Sequence, residues 1–249
     1  MKTNLTLGTW LSIGSPVIAE LAALSGFDWV LLDLEHGCAS ETAVPEQLRA
    51  LRGSHTQAIV RVGAPHADLI ARVLDWGAAG IMVPHVGSVA EAEAIVRAAH
   101  YPPRGRRGFS RTVPTHDYGL RVPGSTPLPS IMAQIETFDA VNAAGEIASV
   151  DGIDVLFVGP ADLQHDLKHR SLAAGEDFEH CLARVVTAAH SAGKAAGILV
   201  RDPHELPRRT EQGFTHVAVQ SDLSLLRDAF CTMLQTASAN LGKRELRRS

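Results

Sequence analysis

The stretch TLGTWLSIGSPVIAELAALSGFDWVLLDL, residues 6–34, decides the fold, because it reads as a strand, a helix and a second strand in one short run. Ser15 and Pro16 supply the N-cap and the first-turn proline of the helix, and Gly26 follows its end. Both strands are almost continuously apolar, which is typical of parallel strands that are covered on both faces. The stretch therefore predicts one β-α-β unit of a parallel α/β fold.

The same alternation of apolar runs and helical patterns continues along the rest of the chain. Two architectures fit this alternation, a closed (β/α)₈ barrel and an open doubly wound sheet. Because no GxGxxG or GxxxxGK[ST] motif follows any of the runs, we predict the barrel, with eight strands and eight helices in a single domain over residues 1–249. The predicted strands are Thr6–Leu11, Trp29–Leu34, Ala58–Val62, Gly80–Pro84, Ser130–Glu136, Val155–Gly159, Ala195–Val200 and His216–Gln220.

Two later helices carry signals at their boundaries. Ser88 and Glu91 have the spacing of a capping box, which predicts the start of a helix at this point. Asp202 and Pro203 begin another helix, and Pro207 is expected to kink or shorten it.

The composition excludes several classes of protein. A chain of 249 residues, 45% of them apolar, is long enough to bury about 70–75% of the surface that its unfolded form exposes. A net charge of −4 gives no reason to expect nucleic acid or a membrane as a partner, and no apolar run reaches the roughly 20 residues of a membrane span. Cys38, Cys181 and Cys231 are odd in number and widely spaced, which indicates reduced thiols. Because residues 1–10 show no secretory signal, we expect a cytoplasmic protein.

Three segments point to an interface or to a functional loop. The segments Tyr101–Pro129, rich in Pro, Gly and Arg, and Gln164–Asp177, which is polar, are predicted as loops long enough to have a role beyond connection. The last helix, from about Asp222, carries an apolar stripe that must be buried on its own eighth strand or on another subunit. That stripe is formed by Leu223, Leu226, Phe230 and Leu234. The residues that suit the first loop to reach another subunit's site are Phe109, Arg111 and Tyr118.

Polar residues at the carboxyl ends of the strands form the candidate site, because barrel enzymes carry their chemistry there. Glu136 ends the fifth predicted strand and Asp162 follows the sixth, and two carboxylates at one barrel mouth repel unless a proton or a cation lies between them. A divalent ion with oxygen ligands, Mg²⁺ or Mn²⁺, meets this need. The alternative is that each carboxylate caps a helix. The other polar or aromatic residues expected at the mouth are Trp10, Asp33, Glu35, His36, Arg61 and Gln134.

Three of the candidate residues allow more than one interpretation. His36 is either a catalytic base or a histidine of the core. Arg61, inside an apolar strand, needs an anion, which is either Asp33 or Glu35 or a substrate. Asp75 lies in the last turn of a helix, where the dipole disfavours a carboxylate, so it has a cationic or imidazole partner or is simply exposed.

Five motifs in order, GTWLSIGSPVIAELAALSGFDWVLLDLEHG, VRV, YPPRGRRG, QIET and VGPADL, resemble those of the metal-dependent pyruvate aldolases in the HpcH/HpaI aldolase and citrate lyase superfamily. The resemblance extends roughly from Leu7 to Leu226. It implies a (β/α)₈ barrel whose last helix is exchanged between subunits, in a homo-oligomer that is a trimer or a hexamer built from trimers. The implied reaction makes or cleaves 4-hydroxy-2-oxo acids through a pyruvate enolate, with an aldehyde as the second substrate. Examples of the product are 4-hydroxy-2-oxoheptanedioate and 2-keto-3-deoxy sugar acids.

The resemblance also implies roles for individual residues. Glu136 and Asp162 would hold the divalent metal, which is Mg²⁺ or Mn²⁺, with Co²⁺ as a third option. His36 would act as the base through a water molecule, with Asp75 raising its basicity, and Arg61 would stabilise the enolate oxygen. Contacts to the pyruvate moiety would come from Gln134, Asp162 and the backbone at Ala161. The pocket for the second substrate would be shaped by Trp10, Phe157 and Leu199.

Other functions remain as alternatives to a metal-dependent aldolase. A Schiff-base aldolase needs a desolvated lysine at the mouth, and none of the lysines lies on a strand there. A CoA-ester lyase of the same superfamily would share the metal site and use a cationic groove, and a non-catalytic barrel would be a binding or scaffold protein. The lysines are Lys2, Lys168, Lys194 and Lys243. The arginines available for a CoA groove are Arg104, Arg106, Arg107 and Arg111, for which anchoring of their own loop is the simpler interpretation.

Overall fold

Eight parallel strands close into a barrel in sequence order, with the eighth strand paired to the first. The computed structural model describes residues 5–122, 124–171 and 176–240. Helices follow the strands within these ranges, so the predicted (β/α)₈ architecture is confirmed. The strands are β1 (Thr6–Leu11), β2 (Trp29–Asp33), β3 (Gln57–Arg61), β4 (Gly80–Val83), β5 (Ser130–Ile135), β6 (Val155–Val158), β7 (Ala195–Val200) and β8 (His216–Ser221).

The helices differ from the prediction between β6 and β7. Gln164–Asp177 is not simply a loop, because the helix that begins at Pro160 continues to Lys168 and buries Leu163 and Leu167. A second helix starts after Asp177, whose Oδ1 accepts a hydrogen bond from the His180 N–H, while residues 172–175 lie outside the described ranges. The helices of the described chain are α1 (Pro16–Leu24), α2 (Val44–Ala50), α3 (Ala67–Asp75), α4 (Val89–Ala99), α5 (Phe138–Ser149), α6 (Pro160–Lys168), α7 (Phe178–Ser191), α8 (Leu206–Glu211) and α9 (Asp222–Asn240).

The predicted boundary signals operate in the structure. Ser88 Oγ accepts the backbone N–H of Glu91 at 3.3 Å, so the capping interaction at the start of α4 is present. Asp202 caps a short 3₁₀ turn by accepting the His204 N–H at 2.9 Å. The following helix, α8, has only six residues with Pro207 in its first turn, as expected from a proline that limits the helix.

Side chains inside the barrel change from apolar to polar toward the carboxyl ends of the strands. Because alternate strand residues face the same side, Trp29 is followed on the interior by Leu31 and then by Asp33. The same alternation places Arg61 above Ile59 on the interior of β3. Apolar side chains fill the interior of the barrel below these polar residues, and the polar side chains lie at the carboxyl ends of the strands. The apolar interior consists of Trp10, Trp29, Leu31, Ile59, Met82, Met132, Val155, Phe157 and Ala218.

The segment Tyr101–Pro129 connects α4 to β5, so it lies at the amino ends of the strands, opposite the carboxyl ends. The described part of the segment omits Pro123. Its Arg107 is buried and forms an ion pair with Asp75, and the Arg107 guanidinium lies 4.6 Å from the centre of the Tyr101 ring. A cavity of about 700 Å³ separates the segment from the barrel. This segment is therefore not a lid over the strand carboxyl ends of its own chain.

Helix α9 leaves its apolar stripe exposed. Asp222 is its only buried residue within the described range, and its carboxylate accepts the N–H groups of Ser12 and Ile13. Beyond this first turn, the helix does not cover β8 with apolar side chains. Its exposed apolar residues are Leu223, Leu225, Leu226, Phe230, Met233 and Leu234. None of the described helices combines the length and the apolar character that crossing a membrane requires.

Candidate active site

A cleft of about 130 Å³ opens at the carboxyl ends of the strands. Nearly all residues that the sequence analysis placed in the site line this cleft or contact residues that do, and Asp75 is the exception. The lining comprises Trp10, His36, Arg61, Gln134, Phe157, Val158, Gly159, Pro160, Ala161, Asp162, Leu199 and Arg201. The cavity at the other end of the barrel is larger, but it holds none of these residues.

Arg61 is held by two carboxylates at the inner end of the cleft. Its Nε and Nη2 donate hydrogen bonds to the two oxygens of Asp33 at 2.9 and 2.7 Å. Its Nη1 lies 2.7 Å from Glu35 Oε2, and its guanidinium lies 5.3 Å from the centre of the Trp10 ring. The structural interpretation of Arg61, an ion pair with Asp33 or Glu35, is therefore realised with both. Fixing the guanidinium in this way orients it before any substrate binds.

Asp33 also shapes the turn that carries His36. Its Oδ1 accepts the backbone N–H groups of Glu35 at 3.0 Å and of His36 at 3.3 Å. Burial by itself would raise the pKa of Asp33, but the hydrogen bonds and charge of Arg61 and the two N–H groups outweigh it and hold the pKa below its usual value. The turn requires Gly37, since a Cβ there would lie 2.0 Å from the Asp33 carbonyl oxygen.

Glu136 is a buried carboxylate without an arginine or lysine partner among the described residues. Its Oε2 accepts the backbone N–H of His85 at 2.8 Å and lies 3.0 Å from His85 Nδ1. Burial raises the pKa of Glu136, and the negative charges of Asp162 and Glu35 raise it further against the opposing effect of His85. At the start of the next connection, a Cβ on Gly159 would lie 2.6 Å from Glu136 Oε1, so a glycine is required there.

The helix-capping interpretation of the acidic pair is wrong for Glu136. Thr137 is the N-cap of α5, and its Oγ1 accepts the Ala140 N–H at 3.1 Å. Asp162 lies in the first turn of α6, and within the described residues its carboxylate forms no hydrogen bond to the helix backbone. Both carboxylates thus remain available to a ligand in the cleft.

The donor set fits a divalent cation. The described residues contain no group of three or more His, Cys, Asp or Glu side chains arranged to hold a metal. Two carboxylates are nonetheless a common protein contribution to a Mg²⁺ site, in which water and substrate oxygens fill the other positions. Burial and the negative charges of Asp162 and Glu35 raise the pKa of Glu136, and the buried Gln134 Oε1 has no hydrogen-bond partner among the described residues. A hard cation at Glu136 and Asp162 would supply the missing positive charge.

His36 and Asp75 are not neighbours within one chain. His36 is exposed at the cleft with Nε2 3.9 Å from Glu35 Oε1, so the interpretation of His36 as a core histidine is wrong. Asp75 ends α3, which runs antiparallel to β3 and returns to the amino ends of the strands. There it forms an ion pair with Arg107, the cationic partner that the helix dipole argument anticipates. Within one chain, Asp75 and His36 lie at opposite ends of the barrel, so the expectation that Asp75 raises the basicity of His36 is wrong for residues of the same chain.

Two residues at the carboxyl ends of the strands, His85 and Arg201, are not predicted from the sequence. His85 follows β4 in a left-handed conformation (φ 56°) and bridges the two acids Glu136 and Glu35, with Nε2 3.3 Å from Glu35 Oε1. Arg201 follows β7 and lines the cleft. The rule that predicted Glu136, a polar residue directly after a strand, applies equally to β4 and β7 and would have identified both.

The described lysines and the loop arginines do not support the alternative mechanisms. Lys168 ends α6 and Lys194 precedes β7, and neither lines the cleft, while Lys2 and Lys243 lie outside the described residues. At the opposite end of the barrel, Arg104 pairs with Asp151 at 2.9 Å, and the pairing of Arg107 has been given above. These arginines anchor their own segment and are remote from the acidic pair.

The fold and the cleft together define a (β/α)₈-barrel enzyme with an acidic pair at the carboxyl ends of adjacent strands. The chain matches the HpcH/HpaI aldolase/citrate lyase family over residues 6–229, and it belongs to that family. It is 36% identical over 243 residues to a hydroxypyruvate/pyruvate aldolase of Paraburkholderia phytofirmans, with 94% of each chain covered. It is also 36% identical over 227 residues to a 5-keto-4-deoxy-D-glucarate aldolase of Klebsiella pneumoniae, covering 90% of this chain and 88% of that one.

Solved structures agree with this assignment. A family protein from Burkholderia cenocepacia superposes with a TM-score of 0.87 at 34% identity, covering 94% of this chain and 95% of the other. The predicted family and barrel are therefore confirmed. The same relatives confirm the predicted class of activity, and the protein is an aldolase, a carbon–carbon lyase of class II.

Proposed function

We propose that the protein makes or cleaves 4-hydroxy-2-oxo acids through the enolate of pyruvate, with an aldehyde as second substrate and Mg²⁺ or Mn²⁺ as its metal. The observation that carries this proposal is the buried carboxylate of Glu136, which has Asp162 and Glu35 near it and no arginine or lysine partner among the described residues. The names of the relatives, a hydroxypyruvate/pyruvate aldolase and a 5-keto-4-deoxy-D-glucarate aldolase, support the choice of a 2-keto acid.

Four residues at the cleft carry the chemistry of this mechanism. Glu136 and Asp162 would hold the cation, and the chemistry it supplies when bound is Lewis-acid polarisation of the keto group. Arg61, fixed by its two carboxylates, places positive charge at the oxygen where negative charge develops, a contribution of about 3–4 kcal/mol where comparable donors have been removed. His36, exposed at the cleft, takes the methyl proton of pyruvate through a water molecule.

The remaining lining binds and shields the substrates. Gln134, Ala161 and Asp162 all line the cleft, and the side chains of Gln134 and Asp162 and the backbone at Ala161 would contact the pyruvate moiety. Trp10 and Phe157, whose ring centres lie 5.6 Å apart, form with Leu199 the apolar wall against which the aldehyde packs. A dry wall favours carbon–carbon bond formation over loss of the enolate to solvent.

The experiment that tests this function is deuterium exchange at the methyl group of pyruvate, followed by NMR with and without chelation. We expect exchange to require added Mn²⁺ or Mg²⁺ and to be lost in Glu136→Gln and Asp162→Asn, with Mn²⁺ binding weakened in both variants. The matched control is Glu46→Gln on the exposed face of α2, which should exchange normally. Full exchange by the wild type after exhaustive chelation would contradict the proposal.

We further propose that the chain works as a homo-oligomer, a trimer or hexamer, in which α9 is exchanged between subunits. The exposed stripe of α9 supports this, and α1 offers an exposed apolar face, Val17, Leu21 and Leu24, on which a partner's helix can pack. The exposed Phe109 and Tyr118 suit the α4–β5 segment for contact with a neighbour. A cytoplasmic location and a single domain over residues 1–249 complete the proposal, and the free thiols support a reducing compartment.

A further inference from the structure

Arg201 occupies the outer rim of the cleft, where it is the first residue after β7. Its side chain is exposed and lines the cleft together with His36 and Asp162. In the part of the chain that the structure describes, Arg201 forms no ion pair and no side-chain hydrogen bond. The acid next to it, Asp202, is engaged in capping the following turn. Arg201 is thus a cationic group at the mouth that is free to meet a ligand.

The inner end of the cleft has the opposite charge. Here Arg61 is the only arginine or lysine among the described lining residues apart from Arg201, and its charge is already matched by two carboxylates. Four carboxylates carry more negative charge than Arg61 and a divalent cation together carry positive charge, and a bound 2-keto acid adds one more negative charge. The acids concerned are Asp33, Glu35, Glu136 and Asp162. A second anionic substrate would be repelled from this cleft unless a cation at the rim received it.

We propose that Arg201 is a specificity-determining residue that receives the distal carboxylate of an aldehyde, so that the preferred second substrate is an oxo acid and not a neutral aldehyde. This inference rests on the proposed function and specifies its substrate class. A guanidinium presents a planar pair of N–H donors that matches a carboxylate, and such charge-assisted bonds are stronger than neutral ones. Phe157, Leu199 and Arg201 line the same cleft, so an aldehyde that packs against Phe157 and Leu199 has the guanidinium of Arg201 beside it.

The test compares two aldehydes of equal chain length, 4-oxobutanoate and butanal, in aldol addition to pyruvate. We expect the wild type to favour 4-oxobutanoate, and Arg201→Gln to raise the KM for 4-oxobutanoate about 10- to 100-fold while leaving butanal within about twofold. Arg201→Lys keeps the charge without the fork and should lie between the two. Arg208→Gln, an exposed arginine of the same β7–β8 connection that pairs with Glu179, is the matched control and should behave as the wild type.

Pyruvate methyl exchange without aldehyde separates this inference from the proposed function. Normal exchange in Arg201→Gln together with a selective loss of 4-oxobutanoate supports the assignment. Normal exchange with equal effects on both aldehydes, or a wild type without preference between them, overturns the role of Arg201 and leaves the proposed function standing. Absence of exchange in the wild type overturns both.

Discussion

Gly159 leaves the space that the side chain of Glu136 occupies. A Cβ at this position would lie 2.6 Å from Glu136 Oε1, 2.7 Å from Glu136 Cγ and 3.1 Å from Gln134 Nε2. Because Cγ lies near the backbone of a buried residue, Glu136 cannot simply swing its tip aside. A small residue next to β6 is therefore what allows the carboxylate of Glu136 to approach the next strand.

We predict that Gly159→Ala weakens Mn²⁺ binding at least tenfold, because the added methyl displaces the carboxylate of Glu136. Titration of Mn²⁺ followed by electron paramagnetic resonance measures the affinity. Gly145→Ala is the matched control, since a Cβ there meets nothing within 4 Å and the site lies inside α5. That control should stabilise the helix by about 0.5–1 kcal/mol without changing Mn²⁺ affinity. Unchanged Mn²⁺ affinity in Gly159→Ala would show that the cation lies elsewhere.

The residues at the mouth differ in how far sequence could place them. Asp33, Arg61 and Glu136 follow or end apolar strands, so the alternation of strand residues brings them to one end of the barrel. Asp75 pairs with Arg107, which is 32 positions away in the sequence. The direction of α3 alone determines at which end of the barrel Asp75 lies. A pairing of that kind depends on tertiary structure, and no local pattern contains it.

At the scale of elements, strand boundaries follow from hydrogen bonding. The fourth strand ends at Val83 and not at the predicted Pro84, because proline has no N–H to donate to a neighbouring strand. The start of α6 near Asp162 is anticipated from the sequence but its continuation to Lys168 is not, because its residues are mostly polar and only Leu163 and Leu167 of the helix are buried. Such a helix lacks the broad apolar face from which helices are recognised in a sequence.

Helix α9 exposes its apolar side chains in a single chain, and Asp222 is its only buried residue in the described range. We predict that replacing Leu226 and Phe230 together by serine converts the proposed assembly into subunits of 26.6 kDa, because the exposed apolar stripe is the surface that the proposed exchange of α9 would bury. Light scattering at a fixed protein concentration gives the mass, and circular dichroism checks that the barrel persists. Gln235→Ser, an exposed polar position of the same helix, should leave the assembly intact. A wild type that is monomeric at micromolar concentration would contradict the exchange of α9.

For the whole molecule, two histidines outside the cleft lining, the buried His100 and the partly buried His216, link stability to pH. Burial lowers the pKa of His100, with Arg104 adding to the effect, although Asp154 and Asp151 oppose it. Burial likewise lowers the pKa of His216 at the start of β8, against the charge of Asp154. Below the ordinary histidine pKa of about 6.5, the unfolded chain therefore binds protons that the folded chain does not. The lowered pKa of Asp33 acts in the same direction at lower pH, since its contribution is lost as the pH falls below about 4.

We therefore predict that the free energy of unfolding is nearly constant between about pH 7 and 8 and falls below about pH 6.5, with a slope of up to about 1.4 kcal/mol per pH unit for each histidine. Urea unfolding at a series of pH values measures this dependence, at one protein concentration because the stability of an oligomer varies with it. His216→Gln removes one titrating group and should reduce the slope, whereas His66→Gln at the exposed start of α3 should not. Glutamine does not titrate, so His216→Gln must lose the contribution of His216 to the slope. If its slope equals that of the wild type, the acid sensitivity arises from other groups.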